Sequence, residues 1–474
     1  MTETARAEHH ETHSAVVFLA GDLAYKVKKP VDLGFLDFTT VERRAEACRE
    51  ELRLNRRLAP DVYLSTATLV DDTTRAPVEH VLVMRRLPAD ATLSSKVERA
   101  EDVRTDVRNV ARTLGAFHLD NPMDPAVAEL VAEPVALQRL WDGCTRTIEA
   151  SGQLTDVLVR DIADRAESFI AGRSELFAAR IAGGFVRDGH GDLQAGDVYV
   201  LDDGVRLIDC LDFDERLRIA DVAADVGFLA MDLERLGRPD LGRLLLAEHE
   251  RVTGFVTPAP LQHLYIAYRA WVRCAVACIR AAQDGSTPDV YELAGIALAH
   301  LHQAGPTVVV VSGLPASGKS TLARRITEER PDWLLLRSDA LRDAVRPAGS
   351  QRYDTDSRAA VYDAMLRTAA EALALGTSVV LDATFTEPQW RDLVGVTAAT
   401  ARARLVVLEC VAPLDVAVAR LHARAEAGGD PSEITEAGLR ALAAQHVPWP
   451  GALRVDIGDD ATGGAVEKCV HALA

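Results

Sequence analysis

The sequence predicts two domains: an α+β domain that begins with strands and turns helical, then an α/β domain built on a parallel sheet. Three observations carry this. The chain has 474 residues, more than one ordinary core accommodates. Short apolar strands dominate up to residue 88, and from 89 to 301 the apolar spacing is mostly helical. After the breaker-rich connector HQAGP, four apolar strands alternate with helical stretches, the pattern of a parallel sheet. The expected boundaries are 1–88 and 89–301 for the two parts of the first domain, 302–306 for the connector and 307–474 for the second domain.

Composition narrows the function classes. The formal net charge of −18 disfavours a long nucleic acid, which needs a basic surface. A small substrate in a local basic pocket stays compatible with it. The N-terminal MTETARAEHHETH is polar, without the apolar region of a secretory signal. No apolar run approaches the roughly 18 residues of a membrane span, so no membrane partner is expected. The seven cysteines are scattered and form no C-x-x-C pair, which points to the reducing cytoplasm. Cys274 and Cys278 would share a helix face, a core-packing pattern.

Within the first domain, AVVFLAGDLAYKVKKP reads as two strands joined at Gly21-Asp22, followed by the aromatic loop GFLDF. A helix is expected from about Val41 to Leu58, with Ala47, Leu54 and Leu58 on its apolar side and Pro60 closing it. The strands VYLSTATLV and EHVLVMRRL follow, separated by DDTTRAP. Helical spacing then covers VRNVARTLGAFHLD and the stretch from Ala136 to Arg180. A strand-rich island, Val186 to Phe213, interrupts it, and Pro258-Ala259-Pro260 breaks the last helical block.

That island holds the first chemical signal. HGDLQAGDVYVLDDGVRLIDCLDFDE gathers Asp192, Asp197, Asp209, Asp212 and Asp214 around a hairpin of VYVL and VRLI. Carboxylates folded to one edge repel unless a divalent cation or a shared proton offsets them. Acidic loops on a solvated hairpin are the alternative. The run HGDLQAGDV, LIDCLDFDE and IADVAADVGFLAMDL resembles the catalytic segment of the aminoglycoside phosphotransferase-like kinases, over about residues 12 to 300. That resemblance implies a bilobal, protein-kinase-like fold using ATP and Mg²⁺. It makes Asp192 the base that accepts a substrate hydroxyl proton, Asp209 the Mg²⁺ ligand, and His190 the residue that structures the loop. Asp221 and Asp225 would brace that loop. Asp197 stands where the family has a metal-binding Asn, and Gln194 replaces a common His. A strand lysine paired with a helix glutamate is also implied. Lys26 in AYKVKKP matches best, Lys28 shares its face as the alternate, and Glu51 in EELRLNRRL is the glutamate. HHETHSAV would cover the phosphates without being glycine-rich, and MRRLP would be the hinge. FLAGDLAYKVKKP, GFLDF and EELRLNRRLAP are similar to a bacterial branch that fuses such a domain to a P-loop kinase.

The second domain announces itself in VVVVSGLPASGKS, residues 308–320. Four valines read as a buried parallel strand, and GLPASGKS matches G-x-x-x-x-G-K-[ST], the P-loop. Gly313 and Gly318 let the backbone curl so that N–H groups face a triphosphate, with Leu314, Pro315, Ala316 and Ser317 between them. Lys319 would reach the β/γ-phosphates and Ser320 would offer a hydroxyl to Mg²⁺. A helix beginning near Thr321 would aim its positive end inward.

WLLLRSDALRDAV supplies a second strand expected to end in Asp339, and GTSVVLDATF a third that ends in Asp382, a Walker-B-like metal position. RLVVLECV is the fourth. This half resembles the small P-loop kinases of the zeta-toxin, chloramphenicol phosphotransferase and polynucleotide 5′-kinase group. The resemblance implies Asp339 as general base, Arg342 as a phosphate-binding residue, and Arg420 and Arg424 as lid arginines that stabilise transferring charge.

The expectation is an ATP- and Mg²⁺-dependent phosphotransferase with two nucleotide sites, acting on hydroxylated small molecules. Two alternatives stay open: a P-loop kinase regulated by a non-catalytic ligand-binding first domain, and a 5′-hydroxyl nucleic-acid kinase. Nothing in the sequence specifies the acceptors or an oligomeric state.

Overall fold

In the computed structural model, residues 8–11, 14–32, 37–285, 289–345, 355–427 and 434–456 are described. The chain divides into two units interleaved in sequence. One comprises Met1–Ala163, Phe177–Thr257 and Leu264–His300; the other comprises Asp164–Leu176, Pro258–His263 and Leu301–Ala474.

The chain begins with β1 (Glu8–Glu11), β2 (Ala15–Ala20), β3 (Leu23–Lys28), α1 (Val41–Asn55), β4 (Tyr63–Val70) and β5 (Pro77–Arg85). The strands form an antiparallel sheet in the order β1-β2-β3-β5-β4. Gly21 at φ +58° makes the two-residue turn that sets Ala20 against Leu23. That register places Lys26 opposite Val17 on one side and Leu82 on the other. Helix α1 is capped by Thr40, whose side chain accepts from the Arg43 N–H, and it ends at Asn55, one turn before the expected Leu58. Leu58 still packs inward from the turn that follows. The edge strand β1 has no apolar alternation, so nothing in its sequence marks it.

Helices then dominate: α2 (Leu93–Glu98), α3 (Arg104–Asp120), α4 (Pro125–Ala132), α5 (Pro134–Ser151), α6 (Asp156–Ala171) and α7 (Ser174–Ala182). The island follows as β6 (Val186–Asp188), β7 (Val198–Leu201), β8 (Gly204–Leu207), α8 (Glu215–Arg218) and β9 (Ile219–Asp221). β7 and β8 pair as the expected hairpin, with Leu201 opposite Gly204, and β6 pairs with β9. α9 (Val222–Arg235), α10 (Pro239–Thr253), α11 (Ala259–Asp284) and α12 (Val290–Ala304) complete the helical part. α9 is buried through nearly its whole length and serves as a post for the island. Cys274 and Cys278 are buried in α11, as their spacing predicted. A strand-rich lobe followed by a helical one is the bilobal, protein-kinase-like arrangement.

The second unit carries β10 (Thr307–Gly313), α13 (Lys319–Glu329), β11 (Leu334–Arg337), α14 (Ser338–Val345), α15 (Thr355–Ala374) and β12 (Val379–Asp382). It continues with α16 (Pro388–Thr400), β13 (Arg404–Val411), α17 (Leu414–Ala427), α18 (Glu436–Gln445) and β14 (Leu453–Asp456). All five strands run parallel in the order β11-β12-β10-β13-β14. β10 lies at the centre and is buried at every residue, which is why its valines need no polar alternation. This is an α/β P-loop sheet.

Candidate functional site

In the first unit, residues distant in sequence converge on one lysine. Lys26 Nζ on β3 lies 2.8 Å from Glu51 Oε1 on α1 and 2.8 Å from Asp209 Oδ1, just past β8. Lys28, two residues along the same strand face, makes a parallel set: 2.7 Å to Glu51 Oε2 and 2.6 Å to Asp212 Oδ2. Burial works against the charge of Lys26, but Asp209 and Glu51 outweigh it and hold the ammonium well above its usual range. The same balance brings Lys28 up to about 12. Burial likewise opposes ionisation of Glu51, and Lys26 and Lys28 overcome it.

Asp209 is held by its backbone. It sits at φ +62°, a left-handed conformation costing of order 1–3 kcal/mol in a non-glycine residue. Its N–H donates to the Tyr63 hydroxyl at 3.1 Å, and the next N–H, of Cys210, donates to Asn55 Oδ1 at 2.9 Å. Lys26 first of all keeps the Asp209 carboxyl below the usual range. The Asp209 side chain is nonetheless exposed.

The loop from His190 to Asp197 is braced from beneath by α9. Asp225 accepts the N–H groups of His190 and Gly191 at 2.8 Å each, and also bonds His118 Nε2 at 3.0 Å. His118 Nδ1 lies 2.9 Å from His249 Nε2, extending a buried chain to α10. Asp221 takes a two-pronged bond from Arg180 at 2.7 and 2.8 Å, and caps α9 through the Ala223 N–H. One turn from the end of α9, Asp232 Oδ2 accepts the Ala195 N–H at 2.9 Å. His190 is fully buried with Nε2 2.9 Å from the Ile208 carbonyl.

Held in this way, Asp192 is half-buried, and burial pushes its carboxyl up to about 6 against the pull of Arg273 and Arg269. Burial first, then the charges of Asp209 and Asp192, drive Asp197 well above the usual range. Three carboxylates that repel in this way are a donor set that a hard cation would relieve. Among the described residues no three His, Cys, Asp or Glu side chains close on a point tightly enough to hold a metal alone. Mg²⁺ is usually bound by one or two carboxylates together with substrate phosphates, and Asp209 and Asp197 are the carboxylates here that would offer oxygens to it.

In the second unit, the loop between β10 and α13 curls as its glycines predicted. Gly313 sits at φ +137° and Gly318 at φ +99°. α13 starts at Lys319, two residues before the expected Thr321, so Lys319, Ser320 and Thr321 form its first turn. Leu314, Pro315, Ala316 and Ser317 fill the loop between the glycines, and Ala316 also takes a positive φ, +60°. Register places Asp382 beside Val311 on β10 and beside Arg337 on β11. Arg337 Nε lies 3.2 Å from Asp382 Oδ2, while Asp382 Oδ1 and Ser317 Oγ are buried without a hydrogen-bond partner among the described residues. An unpaired carboxylate oxygen beside the P-loop fits a hydrated cation, and an unpaired hydroxyl can donate to a phosphate oxygen.

One expectation is corrected. Asp339 does not end a strand: β11 stops at Arg337, and Asp339 lies in the first turn of α14. Ser338 begins the helix because Leu341 and Ala344 continue a helical rather than an alternating pattern. Arg342, one turn on, places Nη2 3.5 Å from Asp339 Oδ1. Arg420 is half-buried on α17. The side chain of Arg424 lies outside the described residues, as do Thr12, His13 and Gly34–Leu36 of the expected phosphate-covering and aromatic loops.

The sequence carried no local signal for Tyr63, Asn55, Arg180, His118, His249, Asp232 or Arg337. Each acts through a partner far along the chain.

Residues 308–448 match the family described as AAA domain, which makes the second unit a P-loop ATPase-type domain. The uncharacterized protein Rv2004c of Mycobacterium tuberculosis is 37% identical over 484 residues, covering 99% of this chain and 95% of that protein. A Mycobacterium bovis protein, also uncharacterized, matches to the same extent. The chain belongs to the family of these mycobacterial proteins. Among solved structures, a choline/ethanolamine kinase family protein from Mesorhizobium loti is 15% identical, with TM-score 0.39, over 64% of this chain and 88% of that one. An APS kinase of Mycobacterium tuberculosis is 22% identical, with TM-score 0.28, over 36% of this chain and 95% of that one. No helix among the described residues is long and apolar enough to cross a membrane.

Proposed function

We propose that this protein is an ATP- and Mg²⁺-dependent phosphotransferase with two nucleotide sites, each acting on a hydroxylated small molecule. The observation that carries the reading is Lys26, bonded at 2.8 Å to both Glu51 and Asp209. A lysine held between a helix glutamate and a loop aspartate is poised to neutralise the phosphates of a nucleotide. Bound Mg²⁺ would neutralise charge on those phosphates, with Asp209 and Asp197 as its protein ligands at the first site and Ser320 and Asp382 at the second. Asp192 receives the proton of the acceptor hydroxyl as that oxygen bonds to the γ-phosphorus and the bond to the bridging oxygen breaks, releasing ADP. At the second site Lys319 meets the phosphates, Asp339 is the base, and Arg342, Arg420 and Arg424 hold charge on the transferring group.

A test needs both sites resolved. Radiolabelled transfer from ATP to a panel of alcohols is measured for Lys319→Ala, Asp192→Asn and the double variant. Each single variant should lose one subset of labelled products, and the double variant all of them. Unchanged labelling in both single variants would refute the proposal.

A second reading has its own observation. Asp197 replaces the metal-binding Asn of the resembled kinases, and burial first, then Asp209, drives its carboxyl upward. A first unit that binds nucleotide without turning it over would regulate the P-loop site. Asp197→Asn separates the two: accelerated transfer supports an active first site, whereas nucleotide binding with no turnover in either form supports the regulatory one.

A further inference from the structure

Outside the groups just described, the first unit holds a cavity of about 350 Å³, within the size range of small-ligand sites. Its lining includes Arg235, Arg273, Ala277, Arg280, Asp289 and Glu292. On α11, Arg269, Arg273, Ala277 and Arg280 recur at intervals of four, four and three residues, so one stripe of the helix is basic. In a chain of net charge −18 that concentration of guanidinium groups is local and specific.

The cavity is tied to the proposed catalytic loop through Arg235, and the helix that carries Arg273 and Arg280 is tied to it through Arg269. Arg235 Nη2 bonds Asp232 Oδ1 at 2.7 Å, and the other oxygen of Asp232 accepts the Ala195 N–H at 2.9 Å. Arg269 Nε donates to the Ala224 carbonyl at 3.0 Å, beside the Asp225 that grips Gly191. Arg273 follows one helical turn later. It has no carboxylate within ion-pair distance among the described residues. Its charge, with those of Arg269 and Arg280, also acts on Asp192. Asp289 and Glu292 also line the cavity, and burial, then a hydrogen bond shared with Asp289, raises the Glu292 carboxyl.

Building on the reading of Asp192 as the base, we infer that the acceptor of the first unit carries an anionic group, a carboxylate or a phosphate, seated on Arg273 and Arg280 with Arg235 at the rim. Guanidinium forks match such oxyanions in a bidentate way that a neutral polyol or a cationic amine does not reproduce. The anion would fix the register of the acceptor, leaving its hydroxyl directed at Asp192.

The test uses the full chain, with its P-loop lysine intact and excess ADP and Mg²⁺ so that nucleotide phosphate sites are filled; the labelling arm adds Lys319→Ala to silence the second site. Malonate and inorganic phosphate are titrated in by calorimetry, against glycerol as the neutral control. Binding of at least one anion is expected, weakened roughly tenfold or more by Arg273→Ala and partly retained by Arg273→Lys. Arg280→Ala, at an exposed position, serves as a second variant should the first fail to fold. No anion binding, or binding that neither variant weakens, would overturn the inference. In a second arm, glycerate, glycerol 3-phosphate and glycerol are compared as acceptors of radiolabelled phosphate. A preference for glycerate identifies a carboxylate source, and one for glycerol 3-phosphate a phosphate source. Preference for glycerol, insensitive to Arg273→Ala, overturns the inference. Anion binding without any labelling leaves the anion site standing and defeats the phosphotransfer reading instead.

Discussion

Lys26 Nζ meets Asp209 Oδ1 at 2.8 Å although 183 residues separate them, and Glu51 completes the contact from a third element. Lys28 duplicates the arrangement one step deeper, against Glu51 and Asp212. The two lysines differ in what their carboxylates face. Asp209 is exposed, whereas Asp212 and Lys28 are enclosed. Lys26→Met is therefore expected to lower first-site transfer by about a hundredfold or more while the fold persists on Lys28. Lys28→Met should act chiefly on stability, by about 3 kcal/mol, because it strips a buried carboxylate of one partner. Urea unfolding and turnover in a Lys319→Ala background measure both. Equal activity losses with equal destabilisation would contradict a nucleotide-facing role for Lys26.

Asp192 predicts a pH profile with a defined sign. Its carboxyl titrates at about 6, so the base is protonated and idle below that value. First-site transfer should fall about tenfold per unit as pH drops below 6, and level off above it. The raised value also has a stability consequence. Native Asp192 holds its proton up to about 6, whereas the unfolded chain releases it near 4, so native stability declines as pH rises through that window. Asp192→Asn should therefore stabilise the metal-free protein by about 1–3 kcal/mol at pH 7.5 and hardly at all at pH 4. Melting temperatures at the two pH values decide it; a stabilisation that grows towards acid would refute the assignment.

Local patterns made part of this molecule legible. The P-loop and β10 could be read because four valines, two glycines and a lysine in order leave few alternative structures. The β2–β3 hairpin and the island hairpin showed through alternation and turn residues. The end of α1 was misread by one turn because Leu58 is buried from outside the helix. Asp339 was misplaced because a four-residue strand runs directly into α14 with no turn residue between them. What could not be read are the braces. Tyr63 looks like any strand tyrosine until Asp209 donates to its hydroxyl, and Arg180 like any helix arginine until it closes on Asp221. Tertiary partners of this kind leave no period in the sequence.

The brace beneath the loop gives a third prediction. Asp225 carries the His190 and Gly191 N–H groups and His118 together, and burial is outweighed by His118 and His190, which hold its carboxyl far below the usual range. Asp225→Ala would leave two buried N–H groups and an imidazole without their acceptor. A loss of about 3–5 kcal/mol is expected by urea unfolding. His118→Phe removes one bond and keeps both backbone bonds, so it should cost less than half as much. A larger loss from His118→Phe than from Asp225→Ala would show that packing around the imidazole, and not the carboxylate, supports the loop.

Gly313 allows the two sites to be separated by geometry alone. A β-carbon there would lie 2.5 Å from the Cys410 carbonyl oxygen on β13 and 2.8 Å from Ser317 Oγ. The carbonyl does not yield easily, since it is backbone of the strand paired with β10. The φ of +137° adds strain that only glycine escapes. Gly313→Ala should thus displace the P-loop without touching its charged residues, and weaken nucleotide binding at the second site by about tenfold or more. Lys319→Ala removes the charge and keeps the loop path. Titration with a fluorescent ATP analogue should lose the same one of two binding phases in both variants, with the other phase unchanged. Loss of both phases in Gly313→Ala would mean that the curl of the P-loop is needed for folding of the whole chain, and the proposed independence of the two sites would fall.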